Sequence, residues 1–242
     1  MPGDSEVARE AMQVAILAGG LATRLGEVAR GRPKSMVPVV GRPFLEYQLD
    51  MLRRNGVGDI VLCTGHLGEQ IEEHFGDGSR FGVSIEYSRE ERPLGTAGAL
   101  AHARDLLGEV FFTLYGDSYL FLDFGAAIAH LRSRGGLALM SVYRNCDRYE
   151  RSNTAVAGGM VSGYSKDERQ GDMLYIEYGA NVFRREVLDM IPAAGRYSLE
   201  ELFPRLIARG ELLAYEVEER FYEIGSPQGL ADFERFVARG RP

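Results

Sequence analysis

The sequence predicts an α/β fold, a Rossmann-like sheet, mainly parallel with mixed additions, flanked by helices. Short apolar runs without polar alternation, QVAILAGG (13–20), DIVLCTG (59–65) and VFFTLYGDS (110–118), read as strands buried on both faces. Segments with helical spacing separate them. The first half therefore reads β-α-β-α-β-α-β, the pattern of a parallel sheet wrapped by helices, whose ligands sit beyond the carboxyl ends of the strands.

Residues 1–12 are polar and without periodicity, a mobile leader. The strand at 13–20 breaks at Gly19-Gly20. FLEYQLDMLRRNG (44–56) is an amphipathic helix closed by Gly56. After the strand at 59–65, LGEQIEEHFGDG (67–78) has helical spacing and VSIEYS (83–88) alternates as a strand does. TAGALAHARDLLG (96–108) is helical and leads into the most apolar strand, 110–118. FGAAIAHLRSRG (124–135) is a further helix, after which the pattern changes to strand-like pieces at 137–144, 154–166 and 175–183, which suit antiparallel additions or a small lobe. EVLDMIP (186–192) and SLEELFPRLIARG (198–210) return to helix, 211–226 to strand, and 227–240 closes the chain as a helix. The expected organisation is one domain, 13–242, in two sub-regions, 13–135 and 136–242.

The 242 residues are 45% hydrophobic and 26% charged, an ordinary globular composition. Twenty-eight Lys and Arg against 35 Asp and Glu give a net charge of −7, which argues against non-specific nucleic-acid binding. No apolar run reaches the roughly 18 residues of a membrane span, so no membrane partner is expected. Cys63 and Cys146 are the only cysteines and lack CxxC spacing, which suits a reducing, cytoplasmic compartment. His66, His74, His102 and His130 show no metal-ligand spacing, and no Ser or Cys stands in a nucleophile context.

The strongest chemical signal is LAGGLATRLGEVARGRPKSMVPV, residues 17–39. Gly19 and Gly20 at a strand end leave backbone N–H groups open, so the turn can form a nest for phosphate oxygens, with Thr23 and Arg24 aimed into the same space; Leu17 and Ala18, just before it, join the nucleotide set. Lys34 adds a second cation ten residues on. Neither G-x-x-x-x-G-K-[ST] nor G-x-G-x-x-G occurs, which sets aside a Walker ATPase and a nicotinamide enzyme. Asp117, in Tyr115-Gly116-Asp117-Ser118, ends the most apolar strand, where a carboxylate needs a cation or solvent; a hard oxygen ligand there suits Mg²⁺.

Residues 17–39 resemble the signature of the sugar-1-phosphate nucleotidyltransferases, GGxGTR followed by (K)P, and further motifs arrive in the family's order. Ala22 stands in place of the second glycine and Ser35 in place of the proline after Lys34. The resemblance implies that the glycine loop and Thr23 bind a nucleoside triphosphate, that Arg24 contacts its polyphosphate and that Lys34 contacts phosphate at the reacting centre. It implies that Asp117, after Gly116, is a metal ligand and that Glu223, in FYEIGSP, is the second, with Mg²⁺ as cofactor. The loop Glu90-Glu91-Arg92-Pro93-Leu94-Gly95-Thr96 corresponds to the family's base-recognition loop, so Glu90, Pro93, Gly95 and Thr96 join the nucleotide set. Glu90 stands where many relatives carry glutamine; a carboxylate accepts without donating, which suits the N1–H and N2–H₂ edge of guanine.

On the acceptor side, Lys166 in Ser165-Lys166-Asp167 corresponds to a phosphate-holding lysine, and Tyr178-Gly179 to a strand lining the sugar pocket. Asn153 and Glu177 complete the sugar-phosphate set. The implied reaction joins a sugar 1-phosphate to a nucleoside triphosphate and releases pyrophosphate, with 13–135 as the nucleotide part and 136–242 as the sugar-phosphate part. The short chain and the phrase RPFLEYQLDML (42–52) are most similar to heptose-1-phosphate guanylyltransferases, favouring GTP. Uridylyltransferases acting on N-acetylmuramic acid 1-phosphate, or a CTP-dependent enzyme, are the alternatives. The departures at Ala22, Ser35 and Glu223 also leave open a non-catalytic nucleotide-sugar-binding regulatory protein. Related architectures often pair, so a homodimer is carried as an expectation.

Overall fold

The structure, a computed structural model, describes residues 12–20, 25–26, 30–167 and 172–240. The leader, except for Met12, lies outside the described residues. The first half follows the expected alternation. β1 (Gln13–Leu17) leads, through a small hairpin of β2 (Pro38–Val39) and β3 (Arg42–Pro43), to α1 (Phe44–Arg54); then come β4 (Asp59–Thr64), α2 (Gly68–Phe75), β5 (Ser84–Arg89), α3 (Thr96–His102) and β6 (Val110–Tyr115). The second half carries β7 (Ser118–Tyr119), α4 (Phe124–Arg134), β8 (Ala138–Arg144), β9 (Thr154–Ala157), β10 (Met160–Tyr164), β11 (Tyr175–Arg184), α5 (Leu199–Ala208), β12 (Leu212–Val217), β13 (Tyr222–Glu223) and α6 (Pro227–Ala238).

Among the described residues, nine strands form one sheet in the order β5-β4-β1-β6-β11-β8-β12-β10-β9. β5, β4, β1 and β6 are parallel neighbours, and β11 inserts antiparallel between β6 and β8. The order reverses at β1: β4 lies on one side of it and β6 on the other. Leu17 is in register with Cys63 across one edge and Tyr115 across the other, so the ends of three parallel strands open onto one crevice.

Alternate side chains of β1 feed two apolar layers. Val14 and Ile16 join Leu45, Leu49, Phe124 and Phe233 on one face; Ala15 joins Val61, Leu100, Leu202 and Phe203 on the other. The helices are shaped for this burial. α4 is capped by Asp123, whose carboxylate accepts the Ala126 N–H at 2.9 Å, and α6 starts with Pro227 behind Ser226, whose hydroxyl accepts the Gly229 N–H at 3.1 Å.

Four expected elements differ. The helix expected over 96–108 ends at His102 and is followed by a 3-10 turn, Arg104–Leu106. The piece at 154–166 is two strands, β9 and β10, because Gly158 and Gly159 (φ +60° and +78°) turn the chain back on itself. The helix expected at 186–192 is a six-residue 3-10 segment, Arg185–Met190, too short and tight for an α-helix. The strand expected over 211–226 is divided into β12 and β13; the latter pairs with β7 outside the main sheet.

Candidate functional site

A cavity of about 440 Å³ opens at the carboxyl ends of β1, β4 and β6. Of the nucleotide set, Leu17, Ala18, Gly19, Gly20, Glu90, Pro93, Gly95, Thr96 and Gly116 all line it, together with Lys34 and Asp117. Thr23 and Arg24 lie outside the described residues. Ser35, Cys63, Ala99, Tyr115 and Arg196 also line it and carry no binding role read from the sequence.

Glycine is required where backbone strands converge. The Gly116 N–H donates to the Leu17 carbonyl at 3.0 Å, and a Cβ on Gly116 would lie 2.9 Å from that oxygen. This close approach brings Asp117 to the floor of the crevice. On α1 the fully buried Gln48 donates from Nε2 to the carbonyls of Tyr115 (2.9 Å) and Ser118 (2.7 Å), holding the same turn from below. Lys34, on a 3-10 turn, forms an ion pair with Asp117 Oδ2, and both side chains are largely shielded.

Glu90 is fixed at the other end. Its N–H donates to Thr64 O at 2.9 Å, and its Oε2 accepts the Leu94 N–H at 3.1 Å. Its Oε1 lies over two glycines, 3.2 Å from where a Cβ on Gly19 would stand and 3.0 Å from one on Gly65. Gly95 (φ +79°) presses on Tyr197, whose N–H donates to Leu94 O at 2.8 Å and whose carbonyl accepts the Gly98 N–H at 2.9 Å. The Thr96 hydroxyl accepts the Leu199 N–H at 2.8 Å, so the loop is bolted to the start of α5.

The sugar-phosphate set divides. Glu177 is buried, its Oε1 accepting from Tyr115 Oη (2.9 Å) and Asn181 Nδ2 (3.1 Å), its Oε2 from Tyr164 Oη (2.9 Å). Burial, reinforced by Glu177, pushes both tyrosine hydroxyls far up. Lys166 Nζ lies 5.8 Å from the Tyr115 ring centre and pairs with Glu200 at 2.8 Å. Burial acts to lower the Lys166 ammonium, but Glu177, Glu200 and Asp117 prevail and raise it, so it remains a cation. Gly179 (φ +94°) sits at a register shift in β11 against Ser118 and Tyr115. Asn153 supports Glu177: its Oδ1 accepts the Glu177 N–H (2.9 Å) and the Thr154 hydroxyl (2.8 Å). Tyr178 turns to the opposite face by strand alternation, fully buried in the core, its hydroxyl accepting the Phe121 N–H at 3.0 Å.

Glu223 pairs in register with Ser118 across β13 and β7, and the Ile224 N–H donates to Asp117 O at 2.9 Å. Burial first, then Glu150 and Asp117, push its carboxyl up to about 7, against the lowering effect of Lys34. Its Oε1 is buried without a hydrogen-bond partner among the described residues. A buried carboxylate oxygen with no donor, beside two other carboxylates, fits a cation. Among the described residues no cluster of three or more His, Cys, Asp or Glu could hold a metal alone, so the fit is to an ion that takes few protein oxygens and completes its shell with water and phosphate. No described helix is long and apolar enough to cross a membrane.

A family model described as nucleotidyl transferase matches residues 13–240. The chain is 31% identical over 241 residues to mannose-1-phosphate guanylyltransferase of Mycobacterium tuberculosis, covering 96% of this chain and 67% of that protein. It is 30% identical over 233 residues to UTP--glucose-1-phosphate uridylyltransferase of Synechocystis, covering 88% of this chain and 60% of that protein. To D-glycero-alpha-D-manno-heptose 1-phosphate guanylyltransferase of Campylobacter jejuni it is 29% identical over 223 residues, covering 92% and 98%. It thus spans about 60% to two thirds of the first two relatives and nearly all of the third. Among solved structures, HddC from Yersinia pseudotuberculosis superposes with a TM-score of 0.80 at 25% identity, over 93% of this chain and 99% of that one, and has also been crystallised with GMP-PN. A Bacillus anthracis structure reaches a TM-score of 0.82 over 96% of each chain at 21% identity, a likeness of fold alone.

Proposed function

Because the chain belongs to the nucleotidyl transferase family, we propose that it transfers a nucleotidyl group from a nucleoside triphosphate to a sugar 1-phosphate, with GTP and a heptose 1-phosphate as the substrates. The observation that carries this reading is the single crevice in which the glycine-rich end of β1, the loop 90–96 and the Lys34–Asp117 pair meet. The acceptor phosphate oxygen attacks the α-phosphorus in line; the bond from that phosphorus to the bridging oxygen breaks and pyrophosphate departs. Phosphate is already anionic at neutral pH, so no general base is needed, and catalysis is positioning and charge neutralisation.

Each part has an assignment. Gly19 and Gly20 present backbone N–H groups to the polyphosphate, with Thr23 and Arg24 following them in sequence. Lys34 neutralises the α-phosphate, and Lys166 seats the attacking phosphate beside Glu177. Asp117 and Glu223 would hold Mg²⁺, which supplies charge neutralisation at the phosphates when bound. The full-length match to a heptose guanylyltransferase and the GMP-PN complex of HddC support GTP over UTP or CTP. The two free cysteines are in keeping with a cytoplasmic enzyme, and a homodimer is its proposed assembly.

Pyrophosphate release with Mg²⁺, crossing five nucleoside triphosphates against a panel of sugar 1-phosphates, tests the reaction. Turnover with one pair, reduced at least about 100-fold in Asp117→Ala, is expected. Nucleotide binding without turnover for any pair would overturn the reading in favour of a regulatory binding protein.

A further inference from the structure

Arg196 reaches the nucleotide cavity from a segment remote in sequence from every motif assigned above. The 3-10 segment Arg185–Met190 ends β11, and the chain then runs through Gly195 (φ +93°) before α5 begins. Tyr197 and Leu199 are hydrogen-bonded to the loop 94–98, as described, so the neighbouring Arg196 is held against that loop. A Cβ on Gly95 would stand 3.0 Å from Arg196 Cγ, placing the arginine stem on the glycine of the base loop. Lys34 is paired with Asp117, and Arg196 lines the same cavity as Gly95, Thr96 and Pro93.

The cavity is therefore asymmetric in hydrogen-bonding character where the base loop lines it. Glu90 can only accept, and its carboxylate is held in place by the Leu94 N–H. Arg196 can only donate, through a planar fork that matches two adjacent acceptors. Guanine combines two adjacent donors, N1–H and N2–H₂, with a separate pair of acceptors, O6 and N7. Uracil and thymine offer one donor between two acceptors, and adenine and cytosine lack the second adjacent donor. We propose that Arg196 is a base-specificity residue, its guanidinium reading O6 and N7 of a guanine whose opposite edge is read by Glu90. This rests on the nucleotidyl-transfer reading above and deepens its choice of GTP.

The test is steady-state kinetics of the wild-type enzyme, Arg196→Ala and Arg196→Lys with GTP, 7-deaza-GTP, ITP, UTP, CTP, dTTP and ATP. The wild type is expected to favour GTP and to lose about fivefold or more in kcat/KM when N7 is replaced by carbon. Arg196→Ala is expected to lose about tenfold or more with GTP, mostly in KM, and to bring GTP and 7-deaza-GTP within about twofold of each other. Arg196→Lys is expected to fall between, because an ammonium cannot make the paired contact. A wild-type preference for another base overturns the GTP reading and this assignment together. A GTP preference that is undiminished in Arg196→Ala, or equal use of GTP and 7-deaza-GTP by the wild type, overturns the assignment alone. So does an equal loss on every triphosphate, which would place Arg196 on the phosphates.

Discussion

A methyl group on Gly116 would stand 2.9 Å from the Leu17 carbonyl oxygen and 3.1 Å from Ala18 Cα, both backbone atoms of the neighbouring strand. Neither can rotate away, so Gly116→Ala has to part β1 from the turn that carries Asp117. We expect a destabilisation of about 1–3 kcal/mol in chemical denaturation and a fall in kcat well beyond the fall in stability. Unchanged kcat in a folded variant would separate the close approach from the chemistry. At this scale the sequence was most legible where a residue's function depends on its immediate neighbours. Gly19, Gly20 and Asp117 were singled out from their neighbours in sequence, Lys34 and Glu90 with the help of the family resemblance, and all of them line one cavity. It was less legible where function depends on orientation. Tyr178 and Glu177 are adjacent on one strand and face opposite layers, and only the register of β11 between β6 and β8 decides which enters the polar cluster. Asn153 reads as a polar candidate, yet its partners are a backbone N–H and a neighbouring hydroxyl.

The elements divide by how local their causes are. Buried strands and amphipathic helices of the first half follow from apolar runs and helical spacing, and they appear in the predicted order. Where the elements depart from the expected ones, the causes are of both kinds: β13 exists because the distant β7 is there to pair with it, whereas the β2–β3 hairpin, not assigned from the sequence, turns locally at Val40 and Gly41, both at positive φ. Helix α1 shows how an element can serve a site it never enters. Its sequence reads as an amphipathic helix, but Gln48 sits fully buried on the apolar face, bridging two carbonyls of the turn that carries Asp117. Replacing it by Leu would fill the space and remove the amide donor from both carbonyls, at about 1–3 kcal/mol. Thermal denaturation of Gln48→Leu should show that loss together with reduced kcat, because the turn loses its support. A stable variant with normal kcat would show that Gln48 is dispensable to the turn.

Across the whole molecule, the charged centre is assembled from four remote stretches: Lys34 near the start, Asp117 after β6, Glu150 in the loop after β8, and Glu223 near the end. No local pattern could announce that Glu150 and Asp117 both press on Glu223, because the fold alone brings them together. The consequence is a pH dependence of definite sign. The Glu223 carboxyl is pushed up to about 7 in the folded protein, from an ordinary value near 4.5. Below the ordinary value the group is protonated in both states and contributes nothing. As pH rises toward 7 the unfolded chain releases the proton first, so folding stability falls, and above 7 the full penalty, of order 3 kcal/mol without metal, is in place. Glu223→Gln removes that penalty. The metal-free variant should therefore unfold at a higher temperature than the metal-free wild type at pH 8 and at nearly the same temperature at pH 4.5. Added Mg²⁺ should raise the wild-type midpoint at pH 8 by binding the folded state and should raise that of the variant less. If wild type and variant keep a constant difference from pH 4.5 to 8, Glu223 does not titrate as its surroundings dictate. If Mg²⁺ shifts both equally, Glu223 is not one of its ligands.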